Sequence, residues 1–144
     1  MYPVHDSDAI LLMATGLASK RRPADLVEIV AAIDLIHGSI PLVSALSDAF
    51  FRLSTQGLLL AVEGGYVLTE DGEEVMSGER RSATHAERLL GVKERMGAYT
   101  PRGDYAPVEV AEEAISAGIV AHRTAPKGSG RNLLMPKPKT VENR

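Results

Sequence analysis

The chain has 144 residues, a hydrophobic fraction of 44% and a formal net charge of −3, values that suit one globular domain with its own core or a small domain plus an appendage. It holds no cysteine, so disulfide bridges, thiolate metal sites and cysteine nucleophiles are excluded together. No apolar run approaches the ~20 residues that a membrane helix requires. The first ten residues, MYPVHDSDAI, carry acids where a signal peptide carries bases, and we therefore expect a cytoplasmic protein without a membrane partner.

The charges are distributed unevenly along the chain. Residues 1–78 hold four Lys or Arg against eleven Asp or Glu, whereas residues 79–123 hold seven of each. Residues 124–144 hold five bases against one acid. The front of the chain is therefore acidic and its end is basic, which bears on any proposal of nucleic-acid binding.

Helical periodicity begins near the N-terminus. We predict a first helix that is capped by one of the residues DSD at 6–8 and runs through AILLMATGLA. A second helix is indicated between Asp25, which forms a capping box with Glu28, and Gly38, which suits the left-handed position after a helix. The apolar residues of this second helix recur at helical spacing, as Leu26, Ile29, Val30, Ile33 and Ile36.

The next elements form a helix, a hairpin and a short helix. The third helix is predicted from about Pro41 to Gln56, with Ser39 as its cap. The stretches LLLAV and YVLT then bracket the sequence EGG at 63–65, a hairpin signal because glycine supplies a positive φ without steric cost. Thr69 is predicted to cap a fourth helix over residues 70–76.

Two more helices are predicted in residues 79–123. One covers 82–98 and is capped by Ser82 or Thr84, and the other runs from Val108 to about His122 with Gly118 interrupting it. The segment 124–144 combines prolines and glycines without periodicity, so we expect it to be disordered and to act either as a solubilising end or as a basic arm.

These elements predict a fold that is mainly α with a small β-hairpin, namely a winged helix-turn-helix over residues 6–78 followed by C-terminal helices. The string from Leu53 through Gly57 to the segment TEDG at 69–72 resembles the end of the winged unit in bacterial regulators of the MarR and PadR kind. In those families Gly-Leu closes the recognition helix, a wing follows, and Leu-Thr-x-x-Gly opens the next helix. The resemblance implies a DNA-binding transcriptional regulator whose C-terminal helices pair two subunits into a homodimer.

Binding of double-stranded DNA by such a fold would place the outer face of the third helix in a major groove, with cations on the flanking phosphates. The residues predicted to make contacts are Lys20, Arg21 and Arg22 before the second helix, and Ser44, Ser47 and Arg52 on the third. Arg52 is the only cation of its face, and Asp48 lies one turn earlier, in position to pair with it. The predicted wing, Glu63, Gly64, Gly65 and Tyr66, offers no cation. The acidic balance of residues 1–78 also opposes DNA, because a like-charged surface repels the duplex.

Two alternatives stay open at this point. The first is a winged-helix module for protein–protein contact without DNA binding, in which Phe51 is a natural anchor and the charged ends of the chain face partners of opposite charge. The second is a ligand-sensing repressor with a small-molecule pocket at a dimer interface.

Catalysis is not predicted. The four histidines, His5, His37, His85 and His122, lie on separate elements without ligand spacing. The acids at 70–74 are explained by the N-terminal dipole of a short helix and its solvated face. We therefore expect no enzymatic activity, no metal and no cofactor.

Overall fold

The structure, a computed structural model, describes residues 4–78 and 82–124. In these ranges the protein is mainly helical and has one two-stranded antiparallel sheet. The elements are, in chain order, α1 (Asp6–Ala18), α2 (Leu26–His37), α3 (Val43–Thr55), β1 (Leu59–Val62), β2 (Gly65–Leu68), α4 (Glu70–Met76), α5 (His85–Ala98) and α6 (Glu112–Thr124). The tail predicted to be disordered lies outside the described residues, except for Thr124.

The first two helices begin at capping boxes or parts of them. The backbone N–H groups of Glu28 and Asp25 each donate to the side chain of the other residue, at 2.9 and 3.0 Å, which confirms the predicted cap of α2. The cap predicted for α1 was placed too late. His5 occupies the N-cap, and its backbone N–H donates to Asp8, the third residue of the helix.

Helix α3 begins two residues later than predicted and lacks the expected side-chain cap. Leu42 occupies its N-cap, and only the backbone carbonyl of Leu42 takes part, accepting from the N–H of Leu46 at 3.0 Å. The C-terminal end follows the prediction. Gly57 has a φ of +80°, and the N–H of Leu58 donates to the carbonyl of Leu53, as in a Schellman motif.

The predicted hairpin is present, with Leu59 opposite Leu68 and Val62 opposite Gly65. Strand β2 is also attached to the segment between α1 and α2. The Tyr66 N–H donates to the Ala24 carbonyl at 2.8 Å, and the Ala24 N–H donates back to the Tyr66 carbonyl at 3.0 Å. The hairpin is therefore held on the helices by backbone bonds as well as by apolar packing.

Helices α4 and α5 have the caps that the sequence predicts. The Thr69 hydroxyl accepts from Gly72 N–H at 3.0 Å and donates to the Gly57 carbonyl at 2.6 Å. At α5 the cap is Thr84, which accepts from the N–H of Glu87 at 3.1 Å.

Helix α6 departs from its prediction, because it begins at Glu112 rather than at Val108. Residues 105–111, called the strap below, cross α3 without helical structure. The Val108 N–H donates to the Ser54 hydroxyl and the Val110 carbonyl accepts from the Ser47 hydroxyl, both at 2.7 Å. These bonds to α3 replace the intrahelical bonds of the predicted first turn.

Gly118 does not interrupt α6. It is buried inside the helix, where a Cβ atom would lie 3.4 Å from the Cβ of Leu26 on α2. The glycine predicted as a helix break is thus the point where α6 approaches α2.

One apolar core extends through the described ranges, with α1 at its centre. Residues 8–15 of α1 are buried without interruption, and α1 contacts α2, α3, α4, α5 and β2. Helix α5 packs on α1 and α4, whereas α6 packs on α2 and α3. The apolar residues of both C-terminal helices that enter this core are Val92, Met96, Ile115 and Ile119. Four apolar side chains of the C-terminal helices are thus buried within one chain, whereas Leu90 and Val120 of the same helices are exposed.

The close approach of the hairpin to Ala24 gives a test of this packing. A Cβ atom at Gly65 would lie 2.3 Å from the Ala24 carbonyl oxygen, whereas a Cβ at Gly64 would meet nothing within 4 Å. Both residues have positive φ. We expect Gly65→Ala to lower the free energy of unfolding, measured in urea, by about 1–3 kcal/mol more than Gly64→Ala does. Equal losses in the two variants would contradict the close contact.

Candidate functional site

Arg52, the only cation predicted on the outer face of α3, is turned towards α1. Its Nε lies 3.1 and 3.0 Å from the two carboxylate oxygens of Asp8, and its Nη2 lies 2.7 Å from Oδ1. The Asp8 side chain is 3% exposed and that of Arg52 is 29% exposed. These hydrogen bonds raise the pKa of Arg52 above its usual value, and the charge of Asp48 adds to the effect. The pair that the sequence suggested, Arg52 with Asp48, is replaced by a longer-range pair that joins α1 to α3.

The basic cluster before α2 is divided between two roles. The Arg22 guanidinium forms an ion pair with the largely buried carboxylate of Glu28, the same residue that caps α2. Lys20 and Arg21 are exposed, and neither forms an ion pair within the described ranges. Among the cations predicted to contact DNA, the two without an ion pair in the described ranges therefore lie between α1 and α2 and not on α3.

The two serines predicted to contact DNA have different environments. Ser44 is exposed near the start of α3, while Ser47 is half-buried with its hydroxyl bonded to the strap at Val110. The strap also bonds the Ser54 hydroxyl through the Val108 N–H. Its first residue, Tyr105, lies so close to the end of α3 that a Cβ atom at Gly57 would be 2.5 Å from the Tyr105 ring. One side of α3 is thus covered by the chain itself.

An open depression of about 430 Å³, called the α3 depression below, lies between α3 and the strap. It is lined by Ser47, Asp48, Phe51, Glu109, Val110 and Ala111. The Phe51 side chain is 45% exposed, as the sequence suggested for an anchor. Asp48 and Glu109 are exposed and contribute carboxylates from α3 and from the strap. An aromatic ring that shares a depression with two carboxylates suits a cationic or amphipathic group better than a phosphate.

The predicted wing residues form the tip and inner side of the hairpin. Glu63 and Gly64 are exposed at the turn, and Gly65 and Tyr66 open β2. The Tyr66 ring packs against Phe50 with centroids 5.0 Å apart, and burial raises the pKa of its hydroxyl. Packing is therefore the role that the contacts give to Tyr66.

Two histidines that the sequence placed on separate elements lie in contact. His37 at the end of α2 and His85 at the start of α5 have Nδ1 and Nε2 only 2.9 Å apart. His122 instead pairs with Asp34 of α2, also at 2.9 Å. Among residues 4–78 and 82–124, no group of three or more His, Cys, Asp or Glu is arranged to hold a metal ion.

Neither a comparison with protein-family models nor comparisons with curated proteins and with solved structures gave a significant match to this chain. None of the helices in the described residues is long and apolar enough to cross a membrane.

Sequence reasoning missed the residues of the strap. It also missed that Asp8 is the partner of Arg52 and that His85 is the partner of His37. The capping signal of Asp8 was visible, but its bond to Arg52 spans 44 positions. For the strap, the β-branched residues Val108 and Val110 disfavour a helix only slightly, and the bonds that hold the strap on α3 span 54 and 63 positions.

The ion pair predicts that Arg52 is needed for folding. Arg52→Ala leaves the buried carboxylate of Asp8 without its partner, and we expect a loss of about 2–4 kcal/mol in the free energy of unfolding, because Arg52 itself is partly exposed. Arg21→Ala removes an exposed cation and should change stability by less than about 0.5 kcal/mol. Urea titration of both variants measures the difference, and a neutral effect of Arg52→Ala would contradict the structural role.

Proposed function

We propose that this chain is a winged-helix protein-interaction module that binds a protein partner at the α3 depression. The single observation that carries the proposal is the combination of an exposed Phe51 and the exposed carboxylate of Asp48, on the helix that would otherwise read DNA, with the exposed carboxylate of Glu109 on the strap. Exposed aromatic side chains in such depressions are typical anchors of protein interfaces.

The charge of this surface supports a protein partner over DNA. A basic surface that joins the segment before α2 to α3 would need Arg22 and Arg52. Both form ion pairs within the chain, Arg22 with Glu28 and Arg52 with Asp8. Each ion pair cancels a charge that phosphate contact requires. The carboxylates that remain would repel a duplex at close range, since phosphate contacts supply most of the affinity for DNA.

The chemistry of the depression also restricts the partner. A lysine or arginine side chain can place its alkyl stem on the Phe51 ring while its charged end reaches Asp48 or Glu109. Exposed ion pairs add little affinity, so an apolar side chain next to the cation has to supply the larger share. The partner segment is therefore basic and amphipathic.

A peptide-display selection on the purified full chain tests this proposal. We expect the selected peptides to combine a cation with an apolar residue and to lose at least tenfold in affinity for Phe51→Ser, about 1.4 kcal/mol, by truncation of the central anchor. Asp48→Asn and Glu109→Gln should reduce the preference for the cation. Leu90→Ser is the matched control, because Leu90 is an exposed apolar residue on α5. Peptides without charge bias, or peptides that bind Phe51→Ser and the native chain equally, would refute the proposal.

A second candidate function, DNA binding by a homodimeric regulator, is favoured by one observation. Lys20 and Arg21 are exposed in the segment between α1 and α2, and in a helix-turn-helix the start of the second helix lies near the phosphate backbone. Contact there does not require Arg52, so the inward ion pair does not remove it.

The salt dependence of retention on a duplex tests the second candidate. The affinity of a protein that neutralises phosphates falls as the salt concentration rises, so log affinity against log salt has a negative slope. If Lys20 and Arg21 each neutralise a phosphate, the double variant Lys20→Gln/Arg21→Gln should reduce the magnitude of this slope by about 2. Gel shifts at several salt concentrations measure this slope. Ser44→Ala serves as a control that keeps the charge. Absence of retention at low salt for the native chain would exclude this candidate.

A further inference from the structure

The His37–His85 contact joins the C-terminal turn of α2 to the first residue of α5. The ring nitrogens are 2.9 Å apart, and the rings meet edge to face with centroids 5.1 Å apart. A hydrogen bond between two imidazoles needs one nitrogen as donor and the other as acceptor. The contact can therefore form when both rings are neutral or when one of them is an imidazolium ion. It cannot form when both rings are imidazolium ions, because no acceptor nitrogen is then left.

Each ring also faces charged groups from the neighbouring elements. His85 lines a cavity of about 450 Å³ together with Lys20 of the segment after α1, Glu73 of α4 and Arg88 of its own helix. His37 is close enough to Asp6 of α1 for its charge to act on that carboxylate, and Asp6 is itself paired with Lys93 of α5 at 2.6 Å. Carboxylates and cations from α1, α4, α5 and the segment after α1 therefore all lie near the pair of rings.

We propose that the His37–His85 contact is an acid-sensitive latch that holds the start of α5 against α2 and opens when both rings are protonated. Opening removes the hydrogen bond and leaves two cations facing each other. Because His85 forms part of the wall of the 450 Å³ cavity, release of the start of α5 also widens access to that cavity.

The direction of the pH effect follows from the environment of His85. Burial lowers the pKa of His85 below its ordinary value of 6.5, and the charge of His37 lowers it further. The closed latch thus binds fewer protons than the open one. Its stabilisation is complete above pH 6.5 and is lost as the pH falls through 6.5 towards the lowered pKa.

The opening is confined to one end of α5. Val92 and Met96 remain in the apolar core, and the Arg95 guanidinium donates to the Val75 carbonyl at 2.5 Å. The Asp6–Lys93 pair stays charged over this pH range, since Lys93 holds the pKa of Asp6 below its usual value. The later turns of α5 are therefore held independently of the histidines.

Hydrogen exchange of the full chain, read by mass spectrometry at about pH 7.5 and about pH 5.5 and corrected for intrinsic rates, tests the latch. We expect amides in the first two turns of α5 to lose protection by roughly tenfold at the lower pH, while α3 and the last turn of α5 keep theirs. His85→Gln keeps a neutral hydrogen-bonding group and should make this protection independent of pH.

His122→Gln is the matched control. It removes the histidine paired with Asp34 and should leave the pH response of α5 unchanged. The latch is refuted if native α5 is equally protected at both pH values, or if His85→Gln responds to acid as the native chain does. A titration of the imidazole resonances that places the pKa of His85 above 6.5 would refute it as well.

Discussion

The ion pair between Asp8 and Arg52 is the interaction on which the rest of this structure depends. Asp8 lies on a helix that is buried over eight consecutive positions, and a buried carboxylate is tolerated only with a close, well-oriented partner. Arg52 supplies that partner with three hydrogen bonds, which fix α3 against the first turn of α1. The same bonds withdraw the only cation from the outer face of α3. A requirement of the core thus decides the charge of the surface.

The second constraint on α3 comes from hydrogen-bonding groups in the strap. A segment that crosses a helix without secondary structure must find partners for its own backbone, and Ser47 and Ser54 provide them. These bonds fix the strap beside α3 and so place Glu109 across from Asp48 and Phe51. The α3 depression is therefore built by the strap as much as by the helix. Its shape follows from the hydrogen bonds that the strap backbone forms with α3. Its charge is negative because the only cation of α3, Arg52, is paired with Asp8.

Local rules were sufficient for much of the fold and insufficient for the site. The capping box of Asp25 and Glu28, the Thr69 cap and the Gly57 helix end each involve residues within a few positions, so the sequence displays them directly. The contacts that define the candidate site do not have this property. Arg52 bonds a residue 44 positions away and Ser47 one 63 positions away, and no periodicity carries such information. The start of α6 was misplaced for the same reason, because tertiary bonds outweighed helix propensity in the strap. Whether the chain works as a regulator or as an interaction module stays a proposal, since the elements that sequence reasoning identified report packing and turns.

The first turn of α1 connects the two surfaces discussed above. Asp8 holds Arg52 on α3, while Asp6, two residues earlier, holds Lys93 on α5 close to His37. The two ion pairs differ in burial, because Asp8 is buried whereas Asp6 is exposed. Exposed ion pairs contribute little to the free energy of unfolding. Helix α5 also places only Val92 and Met96 fully in the core. The side of the molecule that carries His37 and His85 is therefore held by fewer buried side chains than the α3 side. The proposed binding surface on the α3 side and the proposed proton-sensitive contact on the α5 side thus both depend on how one short turn distributes its two carboxylates.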